Sequence, residues 1–430
     1  MCIRDRTRTI QTLLAAYRSL PSPRELAQLV ADGKAAESRG YFTPVEDERL
    51  RGVYTRYLAI RVSLWDIIQY LRPGSKRAQG SIESAVRQDL YDFSIAFCAA
   101  EIIVGTGEYL IDLARDRDII WKKLDEADLR FGLKRKQFTR LYRQLTSAMK
   151  MHGFYRARAF YDENKTRILE AAPSEIIDIL ETLNLPTASR GDHLRRYRRF
   201  VRHSLKRRRK SAERNIVFTV FEMMGSEIAE LKIPLIKLPK APKRVTQNIR
   251  DEIRSKLMPG DVFVTRHDDA VSNLFLPGFW PHAALWLGAD DFDILEAKKD
   301  GVLLRHIEET LEVDAFVVLR PKLADVLVSE ALERARTHSG KLYDFIFDFS
   351  TSDRLVCTEV VYRGFHGIGE IDFTLEDVAG RFCLPAESLI NQSISQGWMD
   401  VVAIYGVEGN ELKFGDAAKS VLRNSFASTF

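Results

Sequence analysis

Apolar residues recur at helical spacing through most of residues 8–235 and then give way to short strand-like runs. Over Thr43–Leu71 the apolar positions Leu50, Val53, Tyr57, Leu58, Val62, Leu64, Ile67 and Ile68 follow the helical period, and Thr43-Pro44 marks the start. The same texture predicts helices over Ser81–Asp116, Lys136–Lys150, Ala157–Ala172, Ser174–Leu183 and Val217–Leu231. The most apolar stretch, Ile95–Leu113, is interrupted by Glu101, Glu108 and Asp112. A membrane span needs about twenty apolar residues with few or no charges. The stretch therefore reads as a buried amphipathic helix in a soluble chain.

From Met258 the pattern changes. Gly260–Val264, His282–Leu287, Phe292–Ala297, Gly301–His306, Ala315–Leu319 and Met399–Val407 are short β-branched or aromatic runs, the first five separated by Gly, Asp and Pro. Leu323–Thr337 and Leu355–Phe365 read as helices. The expected fold class is α+β, an all-α helical domain followed by an α+β domain with a small antiparallel sheet. The expected boundaries are a basic helical domain over 1–235, a Pro- and Lys-containing linker over 236–254, an α+β domain over 255–410 and a tail over 411–430.

Charge sharpens this division. Residues 1–250 hold 48 Lys/Arg against 30 Asp/Glu, a net of +18, whereas residues 251–430 hold 17 against 30, a net of −13. Much of the positive excess sits in Arg195–Lys210. That run is either the solvated face of a long helix or a contact for an anionic membrane surface or other polyanion. Sparse aromatics (Tyr197, Phe200) and the lack of a recognised module argue against nucleic acid. Cys2, Cys98, Cys357 and Cys383 form no CxxC pair, which argues against a zinc site and a disulfide scaffold and fits a reducing, cytoplasmic compartment. No cofactor or metal is implied. Met1–Thr9 lacks the apolar run of a secretory signal. Its opening Met1–Arg6 resembles a translated sequencing-adaptor remnant, so the natural N-terminus is expected to be missing.

Candidate chemistry lies in two segments of the last third. In Trp280–Gly288, His282 heads a strand-like run behind Pro281; in Asp353–Tyr362, Cys357 stands where a loop passes into a helix. A buried thiol is commonly inert packing. Ser350–Asp353 suits a helix start, however, and a first-turn position would favour the thiolate through unpaired N–H groups and the helix dipole. Val360, Val361 and Phe365 would anchor that helix. A thiol of pKa about 8.5 needs a base. His282 is the best placed of the eight histidines, and Glu296, on the next strand, could hold the second ring nitrogen. The loop Ser272–Trp280 carries Phe275, Phe279 and Trp280, which either line an acyl-accepting groove or cap the core.

Five pieces in this order, Gly260-Asp261-Val262, His282, Leu295-Glu296-Ala297, Lys341–Asp344 and Val356–Val361, resemble the circularly permuted papain-like cysteine hydrolases of the NlpC type. This branch includes YiiX-like amidases and, more remotely, lecithin-retinol-acyltransferase-like enzymes. The resemblance covers residues 255–410 and implies that Cys357 is the nucleophile, His282 the general base and acid, and Glu296 the orienting carboxylate. Tyr343 resembles a tyrosine near the nucleophile that helps the oxyanion hole, or is a packing residue, and Gly260-Asp261 resembles a structural turn. The expected function is a cysteine hydrolase cleaving an amide or ester through a Cys-His-Glu triad and an acyl-enzyme. The alternatives are a lipid acyltransferase or deacylase using the same residues, and a non-enzymatic scaffold on a degenerate hydrolase fold.

Overall fold

The computed structural model describes residues 3–83, 85–115, 117–183, 243–267, 279–288, 293–344, 347–378 and 380–427. The predicted helix Val217–Leu231, the basic run Arg195–Lys210 and Phe275 lie outside the described residues. The chain divides into two compact units, an N-terminal one of helices and a C-terminal one built on a sheet.

Local signals in the sequence set the helices of the first unit. They are α1 (Ile3–Arg18), α2 (Pro23–Arg39), α3 (Pro44–Gly80), α4 (Arg87–Leu113), α5 (Asp118–Leu124), α6 (Gln137–Thr146), α7 (Ala148–Glu163), α8 (Lys165–Ala171) and α9 (Ser174–Thr182). Ser22 and Glu25 exchange hydrogen bonds in a capping box that starts α2. α3 runs past its expected end at Leu71 and through Pro73. α4 starts at Arg87, six residues later than the Ser81 start read from the sequence.

By length and composition α4 could cross a membrane, yet 83% of its apolar window is buried. Ile95, Cys98, Ala99 and Ile102 in α4 meet Leu13 of α1 and Leu64 of α3 in one core cluster. In the stretch of a second core cluster that holds Leu50, Val53, Trp121 and Leu124, Arg51 and Lys123, both 3% exposed, are paired with buried Asp47 and Glu126. Such a network tolerates no unpaired member, because an isolated buried charge is costly.

The second unit opens with α10 (Gln247–Arg254), inside the stretch read as a linker. Ile253 and Val245 are buried in the core, so this segment is structure and not a connection. The strands are β1 (Val262–Arg266), β2 (His282–Trp286), β3 (Ile294–Lys298), β4 (Gly301–Arg305), β5 (Ala315–Pro321), β6 (Leu342–Tyr343), β7 (Arg354–Leu355), β8 (Glu376–Val378), β9 (Arg381–Cys383), β10 (Met399–Tyr405) and β11 (Lys413–Phe414). Seven of them form one antiparallel sheet ordered β11-β10-β5-β1-β2-β3-β4. Its central strands are buried on both faces, which is why their sequences read as continuous apolar runs instead of alternating ones.

The remaining helices are α11 (Ile307–Thr310), α12 (Asp325–Arg336), α13 (Cys357–Phe365), α14 (Ala386–Ser395) and α15 (Gly415–Ala427). The stretch read as a tail, 411–430, thus supplies β11 and α15, with Ala418 and Ser425 fully buried. The fold is α+β, with the helices mostly in the N-terminal part and an antiparallel sheet in the C-terminal part. Gly260 and Asp261 form a structural turn. Gly260 adopts φ 93°, where an added Cβ would lie 2.7 Å from Val328, and the buried Asp261 carboxylate pairs with Arg320 at 2.6 Å.

Candidate active site

Three elements converge on Cys357. The first is α13 itself. Val356 is extended and Cys357 is its first helical residue, so the thiol does fall in the first turn. The expected start near Asp353 is corrected, since Arg354–Leu355 form β7 before the helix begins. All nine residues of α13 are buried, with Val361 and Phe365 at 0% exposure, and this packing fixes the height of the sulfur.

The second element is the β1–β2–β3 ladder. Thr265 pairs with His282 at the mouth of β2. Leu285 pairs with Leu295, and Trp286 with Ile294. Carried on, that register sets Glu296 opposite Ala284, so His282 is its diagonal neighbour and not its direct opposite. The longer reach of a glutamate closes the gap, and Nε2 of His282 lies 2.7 Å from Glu296 Oε1. The His282 side chain keeps 20% exposure while that of Glu296 has 1%. The ring is therefore reachable from solvent, and its carboxylate partner is sealed from water. Trp280, leading into β2, is fully buried and donates to Ser425 Oγ at 3.1 Å. It caps the core. Phe279 lies under the Arg266 guanidinium, 4.4 Å from its ring centre.

The third element delivers Tyr343. Lys341 crosses the free edge of β4, its carbonyl accepting from Val302 N at 2.8 Å. Gly301 makes this approach feasible: at φ 112°, an added Cβ would stand 2.6 Å from that same Lys341 oxygen. The chain then enters β6, whose parallel pairing sets Tyr343 beside Leu355, two residues before the cysteine.

The electrostatics follow from this closeness. Burial works against a thiolate at Cys357. The adjoining His282 charge and hydrogen bond, with the backbone N–H groups of Ala283 and Thr358, outweigh it and hold the thiol below its ordinary range. Burial likewise opposes the imidazolium. The Cys357 thiolate and the Glu296 carboxylate reverse that and raise His282 to about 10. Glu296 would be raised by burial, but His282 and Lys298 hold it down at about 2. Since Nε2 faces Glu296, Nδ1 is the nitrogen left for the sulfur. Tyr343 is raised by burial and by the Cys357 and Asp344 charges, so its phenol keeps its proton.

Cys357, His282, Glu296 and Tyr343, all singled out from sequence, are brought to one place. Sequence reasoning missed the surroundings of Glu296. Its Oε2 accepts from Thr310 Oγ1 at 3.0 Å and pairs with Lys298 Nζ at 2.9 Å and Arg305 Nε at 3.3 Å. Two of these had a signal. Lys298 shares the face of Glu296 by the two-residue period, and the two-residue connection Lys299-Asp300 sets Glu296 against Leu303, with Arg305 one step along. His267 is pushed down to about 4 by burial and by the charges of Lys243, His282 and Lys298.

No curated protein and no solved structure matches the chain. Residues 256–408, which hold every side chain of this site, match the family model of the permuted papain-like amidase enzymes of the YaeF/YiiX, C92 family.

Proposed function

We propose that the C-terminal unit is a cysteine amide hydrolase working through Cys357, His282 and Glu296. The observation that carries this reading is the convergence of the three groups: Glu296 bonds the His282 ring at 2.7 Å, and Cys357 and His282 are close enough that each shifts the protonation of the other. The Cys357 proton passes to His282 and the thiolate attacks the substrate carbonyl, forming a C–S bond. N–H groups at the start of α13 and the protonated Tyr343 phenol are the nearby donors for the resulting oxyanion. His282 then gives its proton to the leaving nitrogen as the C–N bond breaks. Water, deprotonated by His282, attacks the thioester. The C–S bond breaks, the acid leaves and the thiolate–imidazolium pair is restored.

The experiment is turnover of a panel of amide, thioester and lipid-ester substrates by the wild type and Cys357→Ala. Acid-quenched samples are weighed intact. We expect the wild type to gain one acyl group and the variant to turn over nothing. Turnover retained by Cys357→Ala would refute the mechanism. Faster acyl transfer from a lipid ester to an added amine than to water would replace the hydrolase by an acyltransferase using the same residues.

A further inference from the structure

We propose that Thr310 is a positioning residue of this site, its hydroxyl holding the Glu296 carboxylate in the orientation that serves His282. The inference rests on the Cys357–His282–Glu296 reading and extends it to a residue on an element that carries none of the three.

The hydroxyl of a helical threonine ordinarily turns back to the carbonyl four residues earlier. Thr12, Thr55, Thr146 and Thr182 all do so, bonding Arg8, Arg51, Tyr142 and Asp178. Thr310 does not. The carbonyl four residues before it, that of His306, is engaged by its backbone N–H at 3.3 Å. Its hydroxyl crosses to Glu296 Oε2 at 3.0 Å. α11 is a single turn held by Ile307 and Leu311, both at 0% exposure, and Thr310 itself is 1% exposed. The hydroxyl is thus pinned from behind and has little freedom to leave.

The need for such a hydroxyl comes from the two cations. Lys298 at 2.9 Å and Arg305 at 3.3 Å both draw on the same oxygen, Oε2. Each is long and can carry the carboxylate with it. Lys298 is 32% exposed on its side chain, and Arg305 is also paired with Asp300. The imidazole holds only Oε1. A short, neutral, rotationally confined donor at Oε2 fixes the plane of the carboxylate without adding a charge that competes with the imidazolium. Without it the carboxylate turns toward Lys298 and Arg305, the Nε2 bond lengthens, and the thiolate–imidazolium pair loses support.

The test needs no substrate. Alkylation of Cys357 by iodoacetamide is followed against pH, with mass mapping, in the full chain and in Thr310→Val, Thr310→Ala and Thr310→Ser. Wild-type Cys357 is expected to react far below the pH at which Cys98 and Cys383 do. Val and Ala both lack the hydroxyl, one keeping the volume and the other emptying it. Each is expected to move the acid limb up by about one pH unit, a tenfold loss of rate there, the size of a lost hydrogen bond to a charged group. Ser is expected to restore the wild-type profile.

A wild-type profile in either hydroxyl-free variant overturns the proposal, as does a Ser profile displaced like Val. Thermal melts separate unfolding from a local effect, and Ser decides the matter if Val does not fold. If wild-type Cys357 itself reacts as slowly as Cys98, the triad reading fails, a result distinguishable from failure of the Thr310 role alone.

Discussion

At the scale of single residues, the site is two ionised groups that stabilise each other against burial. The pair exists between the lowered thiol range of Cys357 and the value of about 10 reached by His282. Turnover should therefore rise with pH as the Cys357 proton moves to the ring, hold a plateau, and fall as pH approaches about 10 and the imidazolium loses its proton. A pH–rate profile checks this, and a single rise near the ordinary thiol value would contradict it. If His282 transfers the proton as proposed, His282→Ala is expected to lower turnover roughly 10²–10⁴-fold. Glu296→Gln keeps an acceptor for Nε2 but not its charge, so we expect a loss nearer to tenfold. The reverse ranking in steady-state kinetics would mean that Glu296 does more than orient. That Cys357, His282 and Glu296 would come together was legible, because a thiol near a helix start, an imidazole at a strand head and a carboxylate on the next strand each left a signal along the chain. Thr310 was not. Nothing along the chain marks one threonine in a short polar turn as facing a carboxylate fourteen residues earlier.

Among the elements, α13 carries a second buried ionisable group on the same turn as Cys357. Glu359, at 0% exposure, bonds Arg363 at 2.7 Å through Oε1, while its Oε2 has no partner among the described residues. Burial and the Asp344 charge push its carboxyl up to about 8, against the pull of Arg363 and Lys341. The native state therefore holds a proton that the unfolded chain releases near the ordinary carboxyl value of 4.5. Stability of this unit is thus lost progressively as pH rises from about 4.5 to about 8. Glu359→Gln should flatten that slope and melt higher than the wild type at pH above about 8, with Arg363 still bonded to the amide oxygen. Equal melting curves on both sides of that range would show that Glu359 stays ionised in the fold. The helix was legible from Val360, Val361 and Phe365, but its start was not. β6 and β7 are two residues each and pair in parallel, so they depend on contacts from elsewhere and leave no period in the sequence. The same holds for α10 and α15, whose polar faces read as linker and tail although Ile253 and Ser425 are buried.

Over the whole molecule, the division of charge was plain in the sequence, and the described residues explain only the part of it that lies in ion pairs. In the N-terminal unit Arg51, Lys123, Arg130 and Arg158 are all spent on carboxylates. Residues 194–210, by contrast, hold ten Lys/Arg and no Asp or Glu, and the nearest acidic residues along the chain, Asp192 and Glu213, offset only two of the ten charges. A run of that kind is drawn to an anionic surface by about 1 kcal/mol per charge that comes near it. We expect the full chain to sediment with vesicles containing an anionic lipid and not with neutral ones. Binding should weaken steeply as added salt shortens the Debye length from about 10 Å to about 3 Å. Replacing Lys206, Arg207, Arg208, Arg209 and Lys210 by Gln should remove most of the binding while leaving Cys357 alkylation unchanged, since none of the five belongs to the site. Binding that ignores salt, or none at all, would return the run to a solvated helix face. Retention of vesicle binding by the five-Gln variant would place the attraction elsewhere on the chain, and the acidic C-terminal part, with its net of −13, is a poor alternative for an anionic surface.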